Sequence, residues 1–291
     1  MTRENKFATI DGLKIRYIED GAGVPALLLH GASLGSSADV FARNLASLAQ
    51  GGIRAVAYDL PGFGLSDNPT DHSVPYRRST ILKMMDALKL EKMALIAHSQ
   101  AGGMAVQVAL QNPDRVSHLM VLATGTLLPP LDTKKEGNDA ALQARVDRIV
   151  ADSEPTVELT RKQLESTLYH HDLITDEELA LRQSHSVGKN FAAHLARTQA
   201  GEGGRGNAGT PLWQRLGEIK MPFIFMVGRD DRGQAGKRAE LLKRQQPEMD
   251  LRIVDHCKHL LPWDAAREFE TAAIELLTRK SSGIRQRIVA N

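Results

Sequence analysis

The residue with the most chemistry to offer is Ser99. It follows a continuous apolar run, Met93-Ala-Leu-Ile-Ala-His98, and precedes a helical apolar spacing, Ala101, Met104, Ala105 and Val108. A strand therefore stops at Ser99 and a helix begins near Gln100. A corner this tight puts one side chain at its apex. A hydroxyl there projects from the carboxyl edge of a sheet, the helix N-terminus favours negative charge, and the Gln100 N–H is free to bind an oxyanion. These are the needs of a nucleophile that attacks a carbonyl. Strand and helix backbones nearly collide at such a corner, so the residues two either side must be small, and Ala97 and Ala101 are. The same pattern also suits a buried serine that merely caps a helix.

The elements around the corner follow from hydrophobic periodicity. Phe7 to Ile10 and Leu13 to Ile18 alternate at period two around Asp11-Gly12, a hairpin signal. Pro25 to His30, Arg54 to Asp59 and Leu119 to Ala123 are apolar runs suited to strands covered on both faces. Val40, Phe41, Leu45 and Leu48 share a helical face that ends at Gly51-Gly52, and Thr80 to Leu88 is the next helix. From Thr126 to Leu212 no apolar strand is visible. That stretch reads as polar helices, too long for a plain connection. Strands resume at Phe223 to Val227 and Leu251 to Asp255, and Ala265 to Thr278 is a closing helix. The expectation is an α/β core over 1–125 and 213–278, a helical cap over 126–212, and a basic C-terminal tail over 279–291.

The 291 residues are 42% hydrophobic, enough for one large core with a modest subdomain. Lys and Arg number 37 against 35 Asp and Glu, with no basic block before the tail, which argues against nucleic acid as a partner. The opening Met-Thr-Arg-Glu-Asn-Lys lacks an apolar core, and no run approaches the roughly 18 apolar residues of a membrane span. One cysteine, Cys257, excludes an intrachain disulfide. A cytoplasmic protein acting on a small molecule is expected, with no membrane partner and homo-oligomerisation left open.

The order of these elements, with the serine corner after the fifth strand and the insertion after the sixth, resembles the α/β-hydrolase fold: an eight-stranded, mostly parallel sheet flanked by helices, with a helical cap. The fold's G-x-S-x-G elbow has alanines here at both glycine positions. The resemblance implies the order nucleophile, acid, histidine. In Gly228-Arg-Asp-Asp-Arg232, Asp231 matches the acid and Asp230 is the alternative. In Asp255-His-Cys-Lys-His259, His259 matches the base and His256 lies too close to the strand end. The loop His30-Gly31-Ala32-Ser33 matches the one that supplies a second oxyanion donor, so the amides of Ala32 and Gln100 are the expected pair. Asp59-Leu-Pro-Gly-Phe-Gly-Leu-Ser-Asp67 is a further signature with no assigned chemistry. Cys257 reads as a small core residue rather than a reserve nucleophile.

Within the fold the chain is most similar to the meta-cleavage-product hydrolases, which cut carbon–carbon bonds in ring-opened aromatic catabolites. The matching stretches are His30-Gly31, Phe41-Ala-Arg-Asn-Leu45, Asn112-Pro-Asp-Arg115, Leu173-Ile-Thr175 and Leu216-Gly-Glu-Ile-Lys220 through Gly228 to Arg232. The resemblance implies a cofactor-free, metal-free serine hydrolase, and a cap arginine, here Arg182, that binds the dienoate carboxylate. Gly31, Ser33, His98, Leu260 and Trp263 are the other expected substrate contacts. Departures lie close to the reacting atoms: His98 where the family has Asn, Gln100 after the serine, Lys258 for Gly and Leu260 for Trp. A carboxylesterase or lactonase with the same triad is the first alternative. A non-catalytic ligand-binding protein on the same scaffold is the second.

Overall fold

Strands Lys6–Ile10 (β1) and Leu13–Asp20 (β2) form the expected hairpin, with Asp11 and Gly12 both at positive φ, 52° and 80°. That is the geometry a two-residue mirror-image turn requires. The computed structural model describes residues 4–131, 153–200 and 209–278. The remaining strands are Val24–Leu29 (β3), Ile53–Tyr58 (β4), Met93–His98 (β5), Val116–Leu122 (β6), Phe223–Gly228 (β7) and Asp250–Val254 (β8). They join one eight-stranded sheet in the order β1-β2-β4-β3-β5-β6-β7-β8. β2 runs antiparallel to both neighbours, and every other pairing is parallel.

All six residues of β5 are buried, as a central strand covered on both faces demands. Its alternate side chains enter opposite halves of the core. Leu95 and Ala97 pack with Leu27 and Leu29 and with Ala101, Met104, Ala105 and Val108 of helix Gln100–Gln111. Ala94 and Ile96 pack with Ala26 and Leu28 and with Phe269, Ala273, Leu276 and Leu277 of helix Ala266–Thr278.

Two helices differ from their expected extents. The apolar set Val40 to Leu48 splits into a 3-10 turn, Ala38–Phe41, and helix Leu45–Gln50 (α1). Buried Asn44 separates them, its Nδ2 donating to Pro262 O (3.0 Å) and Glu270 Oε1 (2.8 Å). The helix expected from Thr80 begins at Val74 and runs to Ala87 (α2), because Ser73 caps it by accepting from Tyr76 N and Pro75 opens its first turn. Helix Gln100–Gln111 is α3.

Between β6 and β7 the described residues form helices Val157–Thr167 (α4), Asp176–Ser184 (α5) and Lys189–Gln199 (α6). Thr156 and Thr175 cap the first two through Leu159 N and Glu178 N, and Asp176, Glu177 and Glu178 place negative charge in the first turn of α5. The glycine-bearing loop after β4 holds them to the sheet. Its carbonyls at Gly62, Gly64 and Ser66 accept from Arg197 Nη1 (2.8 Å), Asn190 Nδ2 (3.1 Å) and Lys189 Nζ (2.8 Å). Helix Ala235–Gln245 (α7), the short helix Leu261–Asp264 (α8) and Ala266–Thr278 (α9) complete the core. The basic tail expected at 279–291 and most of the glycine-rich run after Ala200 lie outside the described residues.

Candidate active site

Ser99 turns the corner from β5 to α3 at φ 58° and ψ −127°, a backbone conformation rarely adopted by a residue with a Cβ. Neighbouring backbone holds it there. Its N–H donates to Leu122 O (2.8 Å), and its carbonyl accepts from Thr124 Oγ1 (2.8 Å). Ala97 and Ala101 are fully buried on either side, so alanine meets the smallness requirement of the corner. Gly31 is needed opposite: a Cβ there would lie 2.9 Å from Ser99 Cβ and 3.2 Å from His98 Nδ1.

The expected acid and base meet this serine. His259 Nε2 lies 2.8 Å from Ser99 Oγ, and His259 Nδ1 lies 2.9 Å from Asp231 Oδ2. Asp231 Oδ1 accepts from the Arg232 N–H (2.7 Å). Burial pushes the Asp231 carboxyl up, but His259, Arg232 and that N–H outweigh it and hold it below the ordinary carboxylate value. The arrangement can take a proton from a hydroxyl and stabilise the resulting imidazolium. Asp230 is exposed on the same turn, with its N–H bound to Cys257 O. His256 is exposed at φ 51°, its ring 5.2 Å from that of Tyr169. Cys257 is fully buried, and burial pushes its thiol up, away from the reactive thiolate.

The two amides expected to hold an oxyanion flank Ser99. Gln100 opens α3, so its N–H has no intrahelical acceptor, and Ala32 follows Gly31 on the facing loop. His30 supports that loop from below. Its Nδ1 contacts Gly31 O (2.7 Å) and its Nε2 accepts from Leu60 N (3.0 Å), so the ring is neutral with its proton on Nδ1. Burial lowers its pKa to about 3. Ser33 closes a turn by accepting from Ser36 N (2.9 Å).

His98 lies beneath the site. Its Nε2 is 2.8 Å from His259 O, and its Nδ1 is buried without a hydrogen-bond partner. Burial lowers its pKa to about 3, so a neutral ring with Nε2–H braces the backbone of the histidine loop. Leu260 is a core residue, its N–H bound to Thr167 O (2.9 Å). Trp263 donates Nε1–H to Val40 O (2.9 Å) and stacks under Arg43, 3.9 Å from guanidinium to ring.

Arg182 and Trp263 share a cavity with Ser37, Asp39, Leu164 and His185, where α4 and α5 meet the loop after β3. Gly35 lets that loop approach the cap, since a Cβ there would be 2.8 Å from both Cδ and the carbonyl oxygen of Arg182. Arg182 keeps part of its surface accessible to the cavity. Among the described residues no ion pair or side-chain hydrogen bond reaches its guanidinium, and burial lowers its pKa to about 10. Two carboxylates line the same cavity, but Asp39 is committed to Arg16 in a two-point contact (2.7 and 2.8 Å) and Glu178 accepts from Arg43 Nη2 (3.1 Å). His185 is buried with its Nδ1 3.9 Å from Asp39 Oδ2, and burial lowers its pKa to about 4.

Sequence reasoning passed over Asp39, His185, Thr124 and Arg232, whose Nη2 lies 3.3 Å from His259 Nε2. One signal for Thr124 was available. Gly102 sits early in α3, where glycine costs up to about 1 kcal/mol, and a Cβ there would strike the Thr124 side chain. Among the described residues no cluster of potential ligands could hold a metal ion, and no helix is long and apolar enough to cross a membrane.

A strained serine at a strand-to-helix corner, a histidine and acid supplied by the last two strands, and helices inserted after β6 define a hydrolase of known architecture. The chain belongs to the alpha/beta hydrolase fold family, whose sequence pattern matches residues 25–266. It is 29% identical over 276 residues to the 2-hydroxy-6-oxononadienedioate/2-hydroxy-6-oxononatrienedioate hydrolase of Burkholderia vietnamiensis (strain G4 / LMG 22486), covering 92% of each chain. Over 286 residues it is 27% identical to the 2-hydroxy-6-oxo-6-phenylhexa-2,4-dienoate hydrolase of Burkholderia cepacia, covering 94% of this chain and 96% of that one. The fold superposes on a meta-cleavage product hydrolase from Pseudomonas fluorescens IP01 with a TM-score of 0.73, at 22% identity and 93% and 96% coverage. The resemblance to meta-cleavage-product hydrolases read from the sequence is therefore borne out, and the protein is an enzyme of the α/β-hydrolase type.

Proposed function

We propose that the protein hydrolyses a carbon–carbon bond in a 2-hydroxy-6-oxo-dienoate, a ring-fission product of aromatic degradation, with Ser99, His259 and Asp231 as its catalytic triad. The observation that carries the reaction class is the continuous chain from Ser99 Oγ through the two His259 nitrogens to Asp231. The dienol first becomes its keto tautomer, a proton moving from the hydroxyl oxygen to carbon. Ser99 Oγ then attacks the remote ketone as its proton passes to His259 Nε2, and the N–H groups of Ala32 and Gln100 receive the oxyanion. The carbon–carbon bond breaks with its electrons delocalised onto the dienolate oxygen. The leaving dienolate takes the proton back from His259 Nε2 and departs as a dienol, and the neutral His259 then deprotonates a water that attacks the acyl carbon; collapse of that second tetrahedral intermediate returns the proton to Ser99 Oγ and releases the acid.

The substrate class is supported by Arg182, a desolvated guanidinium facing a cavity whose two carboxylates, Asp39 and Glu178, are already paired with Arg16 and Arg43. A dienoate carboxylate would satisfy it through two parallel N–H···O bonds. The cavity lies at the far end of the 31–35 loop from Ser99, as a substrate with its carboxylate remote from the reacting ketone requires. The relatives named for oxo-dienoate substrates point the same way. The reading carries with it a catalytic core and a separate cap, and a cytoplasmic location that suits one buried cysteine.

The test is to follow loss of the dienoate chromophore with purified protein beside hydrolysis of a neutral aryl ester. Arg182→Gln is expected to cut kcat/KM for the dienoate by about 30-fold or more, because a buried charge-assisted contact is lost, and to cut it far less for the ester. Ester hydrolysis without dienoate cleavage would convert the reading to a carboxylesterase. Hydrolysis of neither would leave a binding protein on a hydrolase scaffold.

A further inference from the structure

The backbone on both sides of His259 is bound to the cap. Leu260 N–H donates to Thr167 O at the end of α4 (2.9 Å), and Lys258 N–H donates to Asp264 Oδ2 (2.9 Å). The same Asp264 carboxylate accepts from two cap amides. Tyr169 N–H lies 3.0 Å from Oδ1 and 2.8 Å from Oδ2, and His170 N–H reaches Oδ1 at 3.0 Å. One charged group therefore joins three backbone donors from two segments nearly ninety residues apart in sequence. Bonds from N–H to an ionised carboxylate are roughly twice as strong as those between neutral groups. Among the described residues no basic side chain pairs with Asp264, so its charge serves these amides.

We propose that Asp264 is a positioning residue for the base: it ties the placement of His259 to the cap segment that follows α4. The proposal rests on the triad reading above and is independent of the dienoate. His98 Nε2 holds His259 O from β5 (2.8 Å), while Asp264 and Thr167 hold the two amides that flank His259. The imidazole must present Nε2 to Ser99 and Nδ1 to Asp231 at once, at 2.8 and 2.9 Å. A shift of about 1 Å takes both beyond hydrogen-bond reach. Misplacement of that size costs on the order of 100-fold in rate. The cap's bonds to the Gly62–Ser66 loop leave the histidine loop untouched, whereas this seam reaches it. At this seam, docking the cap and placing the base are one event.

Two variants open the seam from its two sides. A side-chain amide has one acceptor oxygen, so Asp264→Asn sets N–H against N–H on one side whichever way it lies. His170→Pro removes one cap amide where φ is already −94°, toward the roughly −65° that proline fixes, and leaves the core sequence intact. The substrate is p-nitrophenyl acetate, a neutral ester too small to need the cap, with kcat taken per folded molecule by circular dichroism. Asp264→Asn is expected to lower kcat by about 10-fold or more with KM within about 3-fold of wild type, and His170→Pro to lower kcat by less. The double variant is expected to be little slower than Asp264→Asn, because both changes act through one carboxylate. His170→Pro carries the comparison if Asp264→Asn does not fold. A second readout needs no turnover: the downfield proton resonance of His259 Nδ1–H in its bond to Asp231 is expected to broaden or move in Asp264→Asn. Wild-type kcat in both variants, independent losses in the double variant, or an unaltered resonance overturns the proposal. A wild type that hydrolyses no ester would overturn the triad reading instead, and the resonance would still decide whether Asp264 places His259.

Discussion

The serine corner and the cap above it are held by opposite means. At the corner, backbone is locked to backbone: β5 lies between β3 and β6, Ser99 N–H is bound to Leu122 O, and Gly31 comes so close that a Cβ would collide. The cap rests mainly on side chains, with Arg197, Asn190 and Lys189 each reaching one carbonyl of the Gly62–Ser66 loop, beside one backbone bond from Leu260 N–H to Thr167 O. Sheet register thus fixes the distances among Ser99, His259 and Asp231, while a few polar contacts set where the cap helices lie. Damage to the corner is therefore expected to abolish turnover of every substrate, and damage to the cap to change preference.

The largest effect expected is at the acid. Asp231→Asn removes the anion that orients His259 and is predicted to lower kcat by about 10⁴-fold on esters and dienoates alike, whereas exposed Asp230→Asn leaves kcat near wild type. Steady-state kinetics on both variants would show whether the acid has been assigned to the wrong one of the two.

A smaller effect is expected from the cap. Asn190→Ala deletes the bond to Gly64 O and is predicted to cost about 1 kcal/mol of stability, raising KM for dienoates more than it lowers kcat. Urea melts and saturation curves would separate the two. A fall in kcat with KM unchanged would mean that this contact acts on the corner after all.

The smallest effect concerns the buried imidazoles. Burial lowers His30 and His98 to about 3 and His185 to about 4, whereas unfolded histidine protonates near its ordinary value. These groups thus contribute stability that is present above pH ~6.5 and is lost as pH falls toward their folded values. Asp59, raised to about 6 by burial, runs the other way: its contribution is full below its ordinary carboxylate value and is lost as pH rises through about 6. Three imidazoles outnumber one carboxyl. His98→Asn removes one of them, so the slope of unfolding free energy between about pH 6 and pH 4.5 is expected to be shallower by about 1.4 kcal/mol per pH unit. An unchanged slope would show that His98 takes up a proton in the folded state.

The corner was legible in the sequence because periodicity changes abruptly at Ser99, from a continuous apolar run to a helical spacing. The resemblance to the α/β-hydrolase fold then pointed to the turns after β7 and β8, where Asp231 and His259 meet. The path of a long side chain leaves no such trace. Nothing in Gly228-Arg-Asp-Asp-Arg232 says that the final arginine folds back over the histidine ring. The loop from Asp59 to Asp67 reads as a run of turns, and its use as a rail of carbonyls for the cap depends on partners more than a hundred residues away in sequence. The break in the first helix was hidden for a similar reason, since Asn44 leaves the helical pattern to reach Pro262 and Glu270.

The central claim, that Ser99 is a nucleophile armed by His259 and Asp231, is tested most directly by intact-protein mass spectrometry after treatment with a fluorophosphonate. A single phosphonyl adduct is expected that maps to Ser99, is absent from Ser99→Ala and forms much more slowly in Asp231→Asn. An adduct that persists in Ser99→Ala, or no adduct on the folded wild-type protein, would contradict it.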